Sequence, residues 1–162
     1  MIWFTSDEHY GHTNIIKYCN RPFSSVEEMN AAIIDNLNSK VDKNDQVFHL
    51  GDFCLKLFFP YGNNILSQLN GSHSFIKGSH DKGIRADYIQ EIKIEDKTIV
   101  LCHYAMIVWP KSHYDSWHLY GHSHGKLPSY GLSYDVGVDN NNYFPISYEE
   151  IKNKMARLEI GD

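Results

Sequence analysis

The chain has 162 residues, 42% of them apolar, with a formal net charge of -5 and a pI near 6.0. This composition suits one domain with its own core, residues 1–162, and excludes a protein that coats duplex nucleic acid with positive charge. The three cysteines form no CxxC pair, and no apolar run predicts a signal peptide or a membrane span. We therefore expect a cytoplasmic protein.

Short strand-like runs alternate with helical patterns along the chain, which predicts an α/β fold. The first predicted strand is 2–6. Ser25-Val26-Glu27-Glu28 is a capping box that opens a helix, and Ser147-Tyr148-Glu149-Glu150 is a second one that opens the closing helix. The other predicted elements are a short helix at 64–69 and strands at 46–50, 74–77, 92–94, 98–102, 117–120 and 132–138.

Side chains able to bind a metal follow the predicted strands in five clusters. The carboxyl ends of strands in an α/β sheet meet at one edge, so these clusters should converge although they are distant in sequence. Carboxylate and imidazole donors suit Mn, Fe, Ni or Zn better than Mg or Ca, and a cysteine-rich structural zinc site is the weaker alternative. The clusters are Asp7-x-His9, Gly51-Asp52, Gly78-Ser79-His80-Asp81, Cys102-His103 and Gly121-His122-Ser123-His124.

In this order, the five clusters resemble the signature of the calcineurin-like metallophosphoesterases, which is D-x-H, G-D, G-N-H-[DE], H and G-H-x-H. Segments 4–15, 117–125 and 135–139 are similar to those of the small members without a cap domain found in bacteria and their phages. The resemblance covers nearly the whole chain. It implies a β-sandwich flanked by helices, with a site for two divalent ions at the strand ends.

The same resemblance implies which residues hold the ions, of which Mn is the expected one. Asp52 would bridge the two. Ser79 departs from the family pattern, which has Asn there, and a serine hydroxyl is a shorter and poorer ligand than an amide oxygen. The first ion would be held by Asp7, His9 and His124, and the second by His103, His122 and Ser79.

The resemblance also implies a hydroxide between the ions as the nucleophile, with His80 as the general acid that protonates the leaving oxygen. Asp81 is expected to orient the His80 ring by a hydrogen bond. His12 and Asn14 follow the first cluster, so they are candidates for contact with the substrate phosphate, the alternative being a role in stabilising their loop.

Other polar residues have a simpler expected role. His49 lies inside an apolar strand and is expected to be a hydrogen-bonded core histidine rather than a ligand. Four cations are candidates for phosphate binding, although each is more typical of a solvated surface charge: Arg21, Lys56, Arg85 and Lys111.

The predicted activity is metal-dependent hydrolysis of a phosphate ester, either a monoester or a diester, with a small phosphate ester or a nucleotide as substrate. The alternative is a protein of the same fold that binds metal and acts as a scaffold or binding protein with little turnover. Loss of His80 or of several ligands would indicate that alternative, and only Ser79 departs from the pattern. The oligomeric state stays open.

Overall fold

Eight strands form two four-stranded sheets in the computed structural model, which describes residues 1–55 and 58–160. The strands are β1 (Ile2–Thr5), β2 (Gln46–His49), β3 (Ser72–Phe75), β4 (Ile89–Ile94), β5 (Lys97–Cys102), β6 (Trp117–Tyr120), β7 (Ser133–Asp135) and β8 (Ile146–Ser147). The first sheet has the order β3-β2-β1-β8 and the second has the order β4-β5-β6-β7.

Each sheet consists of three parallel strands and one antiparallel edge strand. In the first sheet β1, β2 and β3 are parallel and β8 runs the other way, while in the second β5, β6 and β7 are parallel and β4 is antiparallel. The register places Thr5 opposite His49 and His49 opposite Phe75, so the parallel strands of the first sheet end side by side. The loops that follow them therefore leave the sheet at one edge.

The main core lies between the two sheets. Phe4 on β1 belongs to the same buried cluster as Leu101 on β5 and Leu119 on β6, all at 0% exposure. The neighbouring residues of the first sheet point to its other face, because side chains alternate along a strand. There Trp3 and Val47 pack into a second cluster with buried side chains of the helix that connects β1 to β2.

Four α-helices flank the sheets: α1 (Thr13–Tyr18), α2 (Val26–Lys40), α3 (Asn63–Leu66) and α4 (Tyr148–Ile160). Helix α2 covers the first sheet with Met29, Ile33 and Leu37, as its apolar spacing predicts. Helix α4 places Ile151 and Met155 in the core between the sheets. No helix among the described residues is both long enough and apolar enough to cross a bilayer.

The two predicted capping boxes differ in the structure. At α4 the box is reciprocal, because Glu150 N donates to Ser147 Oγ at 3.2 Å and Ser147 N donates to Glu150 Oε2 at 2.9 Å. At α2 Glu28 N donates to Ser25 Oγ at 3.1 Å, but the Glu28 carboxylate accepts from Ser24 N, one residue earlier than predicted. Both helices begin where the sequence predicts.

The predicted α/β architecture of two sheets flanked by helices is confirmed, with corrections to individual elements. Strand β3 lies two residues earlier than the predicted 74–77, and β7 is shorter than the predicted 132–138. It ends because the Asp135 carboxylate accepts from Gly137 N at 2.8 Å and bends the chain into a 3-10 turn, Val138–Asn140. Helix α1 and strand β8 are not among the predicted elements.

Candidate metal centre

The loops that follow the strands bring the predicted ligands into two groups. In each group the donor atoms of three side chains lie within 4.8 Å of one another. We call them the first pocket, which consists of Asp7, His9 and His124, and the second pocket, which consists of Asp52, His103 and His122.

Most of these ligands have an uncommon backbone conformation. The left-handed region is sparsely populated by residues other than glycine, and such residues persist where surrounding contacts fix them, often at functional sites. Two of those contacts join the loops after β1 and β2, since Asp7 N donates to Gly51 O at 3.0 Å and His9 N to Asp52 O at 2.9 Å. The left-handed φ values are 60° at Asp7, 53° at His9, 56° at Asp52, 65° at His122 and 49° at His124.

Two glycines permit the close approach of these loops. A Cβ on Gly121 would lie 2.6 Å from Asp7 Oδ2, and a Cβ on Gly78 would lie 2.9 Å from the carbonyl carbon of Gly51. Neither space admits a methyl group. The absence of a side chain at Gly121 therefore lets the main-chain N–H of the next residue, His122, donate to the Asp7 carboxylate at 2.8 Å.

The first pocket fits a cation on grounds of chemistry. His9 Nε2 is buried and has no hydrogen-bond partner among the described residues, which is costly unless something else satisfies it. Burial lowers the pKa of His9 to about 2, against the opposing charge of Asp52, so its ring is neutral and its lone pair is free. Burial raises the pKa of Asp7 to about 7, and a divalent cation would favour its charged form.

Asp52 lies between the two pockets. Its Oδ2 atom is 3.6 Å from His9 Nε2 and 3.4 Å from His103 Nε2, and its side chain is almost fully buried. Burial alone would raise its pKa, but hydrogen bonds from His103 and from His80 N hold the pKa well below its ordinary value. A carboxylate in this position is able to reach an ion in either pocket.

The second pocket is assembled differently. His103 is buried and its Nδ1 donates to Leu50 O at 2.8 Å, which leaves Nε2 toward Asp52. His122 is exposed, with its Nδ1 atom 3.2 Å from His103 Nε2. The Ser79 hydroxyl donates to both Asp52 oxygens, at 3.0 and 3.2 Å. Ser79 therefore contacts the predicted bridging carboxylate directly.

Three other predicted residues surround the first pocket unequally. The His80 side chain is 43% exposed, and its Nε2 lies 4.0 Å from Asp52 Oδ2. His12 is buried beside it, with its Nδ1 3.3 Å from His9 Nδ1. Asn14 is exposed on α1, and within the described ranges no side-chain hydrogen bond joins it to either pocket. The geometry thus brings His80 and His12 to the site, while the substrate contact expected of Asn14 stays a prediction.

Asp81 has partners other than the predicted one. Its carboxylate accepts from the N–H groups of Gly78 and Asp52 at 2.8 Å and of Phe53 at 2.9 Å. Among the described residues no hydrogen bond joins Asp81 to the His80 ring, and the carboxylate holds the main chain where the contact to His80 was expected. This buried carboxylate ties the loop after β2 to the loop after β3.

Arg21 was expected to be a solvated surface cation, and this expectation is wrong. Its side chain is fully buried and forms a two-pronged ion pair with Asp139, with Nε–Oδ1 and Nη2–Oδ2 distances of 2.9 and 2.7 Å. Asp139 also lies 2.7 Å from His124 Nδ1. Sequence reasoning considered Arg21 only as a phosphate-binding or surface cation and gave Asp139 no role, although segment 135–139 was one of the flanks that carried the family resemblance.

The remaining expectations separate clearly. His49 is a buried core histidine, as predicted, with its ring nitrogens 2.5 Å from Glu8 Oε1 and 2.9 Å from His73 Nδ1. Arg85 is exposed, and Lys111 is an exposed cation paired with Glu91. Lys56 lies outside the described residues.

Comparisons with other proteins cover most of the chain. The uncharacterized protein MJ1445 of Methanocaldococcus jannaschii is 39% identical over 171 residues, which span 98% of this chain and 93% of that protein. The crystal structure of AQ665 from Aquifex aeolicus, a protein of unknown function, shares 25% identity and a TM-score of 0.74, over 95% of this chain and 98% of its own. A Vps29 variant from Entamoeba histolytica shares 20% identity and a TM-score of 0.49, over 84% and 72%. No family model matches the chain.

Proposed function

The chain belongs to the family of the uncharacterized protein MJ1445 of Methanocaldococcus jannaschii, and we propose that it is a metal-dependent phosphoesterase. The observation that carries the proposal is the Asp52 carboxylate, buried between two groups of Asp and His donors. A single carboxylate within reach of both groups suits the binding of a pair of ions. We propose two divalent ions, with Mn as the expected metal.

The bound ions would supply charge stabilisation and an activated water for attack on phosphorus. Residues of the chain would donate the proton and position the phosphate. His80 has its ring half-exposed at the open side of the pockets, where a leaving oxygen is able to reach it and take a proton. His12, beside His9, would help to position the phosphate. The substrate would be a small phosphate ester or a nucleotide.

The test is hydrolysis by the full chain after treatment with a chelator and reloading with Mn. Bis-p-nitrophenyl phosphate reports a diesterase, and p-nitrophenyl phosphate reports a monoesterase. We expect turnover of at least one ester, which is lost with chelator and restored by metal. The Asp52→Asn variant is the matched control, because it keeps the shape of the bridge and removes its charge. Two bound ions with no hydrolysis of either ester would contradict the proposal.

A binding role without turnover is the second candidate, and one observation favours it. A cavity of about 370 Å³ opens beside the second sheet, with the apolar side chains of Ile107, Leu127 and Tyr130 in its lining. These three side chains are 51–72% exposed. Large exposed apolar surfaces often mark contacts with other molecules. This candidate would be supported by wild-type protein that binds metal, hydrolyses neither ester and loses a partner on Leu127→Ser substitution.

A further inference from the structure

One buried cation joins the loop after β1 to Asp139, which contacts the third ligand of the first pocket. Arg21 Nη2 donates to Asp7 O at 2.7 Å and Nη1 donates to Glu8 O at 3.1 Å. The same guanidinium group forms the two-pronged ion pair with Asp139. The side chains of Arg21 and Asp139 are 0% and 7% exposed, so little water competes for these contacts.

The contacts to main-chain oxygens bear on the shape of the Asp7 turn. Asp7 and His9 both have left-handed φ values, on either side of Glu8. Such a turn needs neighbours that fix it. The donors of the guanidinium group lie in one rigid plane, so they favour one arrangement of the two main-chain oxygens. Arg21 is therefore placed to hold the carboxylate of Asp7 and the ring of His9 on the same side.

The contact of Asp139 bears on the third ligand. His124 Nδ1 lies 2.7 Å from Asp139 Oδ2, which makes Nδ1 the protonated nitrogen and leaves the other ring nitrogen free. Carboxylates that accept from a metal-binding histidine orient its ring and increase its basicity. Arg21 in turn holds the Asp139 carboxylate in place through the two-pronged ion pair.

Asp139 has a competing interpretation as a ligand. Its carboxylate, the Cys19 thiol and the His124 ring form another group of donor atoms within 4.8 Å. However, Oδ1 of Asp139 is bonded to Arg21 Nε and Oδ2 is shared by Arg21 Nη2 and His124. Ion binding at Asp139 would therefore compete with its ion pair to Arg21 and with its contact to His124.

We propose that Arg21 and Asp139 are positioning residues that set the affinity of the first pocket for its ion, without contacting the ion themselves. This inference rests on the proposed function, since it assumes that the pockets bind metal. The inference goes beyond the proposed function, because it makes the buried ion pair of Arg21 and Asp139 the reason for tight ion binding in the first pocket only.

The experiment is calorimetric titration of metal-free full chain with Mn, followed by the absorption spectrum of the Co-loaded protein. We expect wild type to bind one ion tightly and one more weakly. Asp139→Asn should weaken the tighter step about 10- to 100-fold, the usual effect of losing such a partner, and leave the weaker step unchanged. Co absorption should shift, because the His124 ring is no longer held. Lys111→Met, which removes an exposed ion pair with Glu91, is the matched control and should change neither.

Asp139→Asn leaves the Arg21 charge buried without its partner, which destabilises the folded protein, so a second variant removes that charge as well. The double variant Arg21→Met with Asp139→Asn contains neither charge and should show the same weakened tighter step. Wild-type affinity in the folded double variant would overturn the inference while leaving the proposed function intact. A thiolate-to-Co band that disappears in Cys19→Ser would overturn it too, because Asp139 would then belong to a ligand set. Absence of ion binding by wild type would overturn both proposals.

Discussion

The first and second pockets use the same kinds of side chain but are held in different ways. In the first pocket Asp7 and His9 are buried, and His124 is oriented by a carboxylate that is itself paired with a buried arginine. In the second pocket His103 donates a hydrogen bond to a main-chain oxygen, and His122 is exposed. Donors that are fixed before an ion arrives lose less conformational freedom on binding. The comparison therefore predicts a tight first ion and a more exchangeable second ion.

Ser79 increases the difference between the pockets. Its hydroxyl donates to Asp52, whereas the amide expected at this position by the family pattern offers an additional oxygen ligand. The one carboxylate within reach of both pockets is also hydrogen-bonded by His80 N at 2.8 Å. The second pocket thus depends on Asp52 more than the first pocket does, since the first has the Asp7 carboxylate of its own.

The largest effect is expected from Asp52→Asn, which tests whether the pockets share one bridge. The variant lacks the charge that faces both pockets, so several kcal/mol of stabilisation should be lost, or on the order of 10⁴-fold in hydrolysis. Metal content measured by atomic absorption should fall for the second ion first. Full occupancy of both pockets in this variant would break the comparison, because Asp52 would then not be the shared ligand.

A smaller loss is expected from His80→Asn, which separates proton transfer from metal binding. A general acid contributes about 10²- to 10³-fold, so kcat should fall by that factor while both ions remain bound. Substrates with a better leaving group should lose less, because they need less protonation. An equal loss for good and poor leaving groups would show that His80 serves another purpose. The measurement is steady-state hydrolysis of two aryl esters together with metal titration.

Asp7→Asn sharpens the comparison through the stability of the metal-free protein. Burial raises the pKa of Asp7 to about 7, above its ordinary 3.8, so the folded state binds a proton that the unfolded state has released between these values. The stability contributed by protonated Asp7 is complete below pH 3.8 and lost as the pH rises through about 7. Asn cannot ionise, so the variant should be more stable than wild type by about 1–4 kcal/mol at a pH of about 8.

This result is measured by urea unfolding with a chelator at a pH of about 5 and of about 8. The gap between variant and wild type should shrink at the lower pH, and it should reverse in sign when Mn is added, because wild type then gains more from binding. A variant that is less stable than wild type at the higher pH without metal would contradict the assigned role of burial.

The smallest effect is expected from Ser79→Asn, which tests the weakness of the second pocket directly. An amide oxygen in place of the hydroxyl should tighten the second ion about tenfold, or roughly 1.4 kcal/mol, and leave the first ion unchanged. The measurement is calorimetric titration with Mn of wild type and of the Ser79→Asn variant. If metal stoichiometry, affinity and turnover all stay the same, Ser79 does not limit the second pocket.

Much of this molecule follows from local patterns in its sequence. Helix α2 and helix α4 begin at predicted capping serines, Ser25 and Ser147, because an N-cap side chain acts within its own turn. The convergence of the donors also followed from sequence, since each cluster comes after a predicted strand. Helix α1 and strand β8 were missed, because six- and two-residue elements contain too little periodicity to detect.

The sequence by itself determined the kinds of ligand, their order and the edge of the sheets where they meet, because these depend on residue type and strand ends. Only the tertiary structure decided that Arg21 is buried against Asp139, 118 positions away, and that Asp81 holds main-chain N–H groups instead of the His80 ring. The physical reason is that a charged side chain is expected to be exposed to water, and only the fold shows which distant groups exclude water from it. The predicted inequality of the two pockets therefore depends on the contacts around the ligands as well as on the ligands themselves.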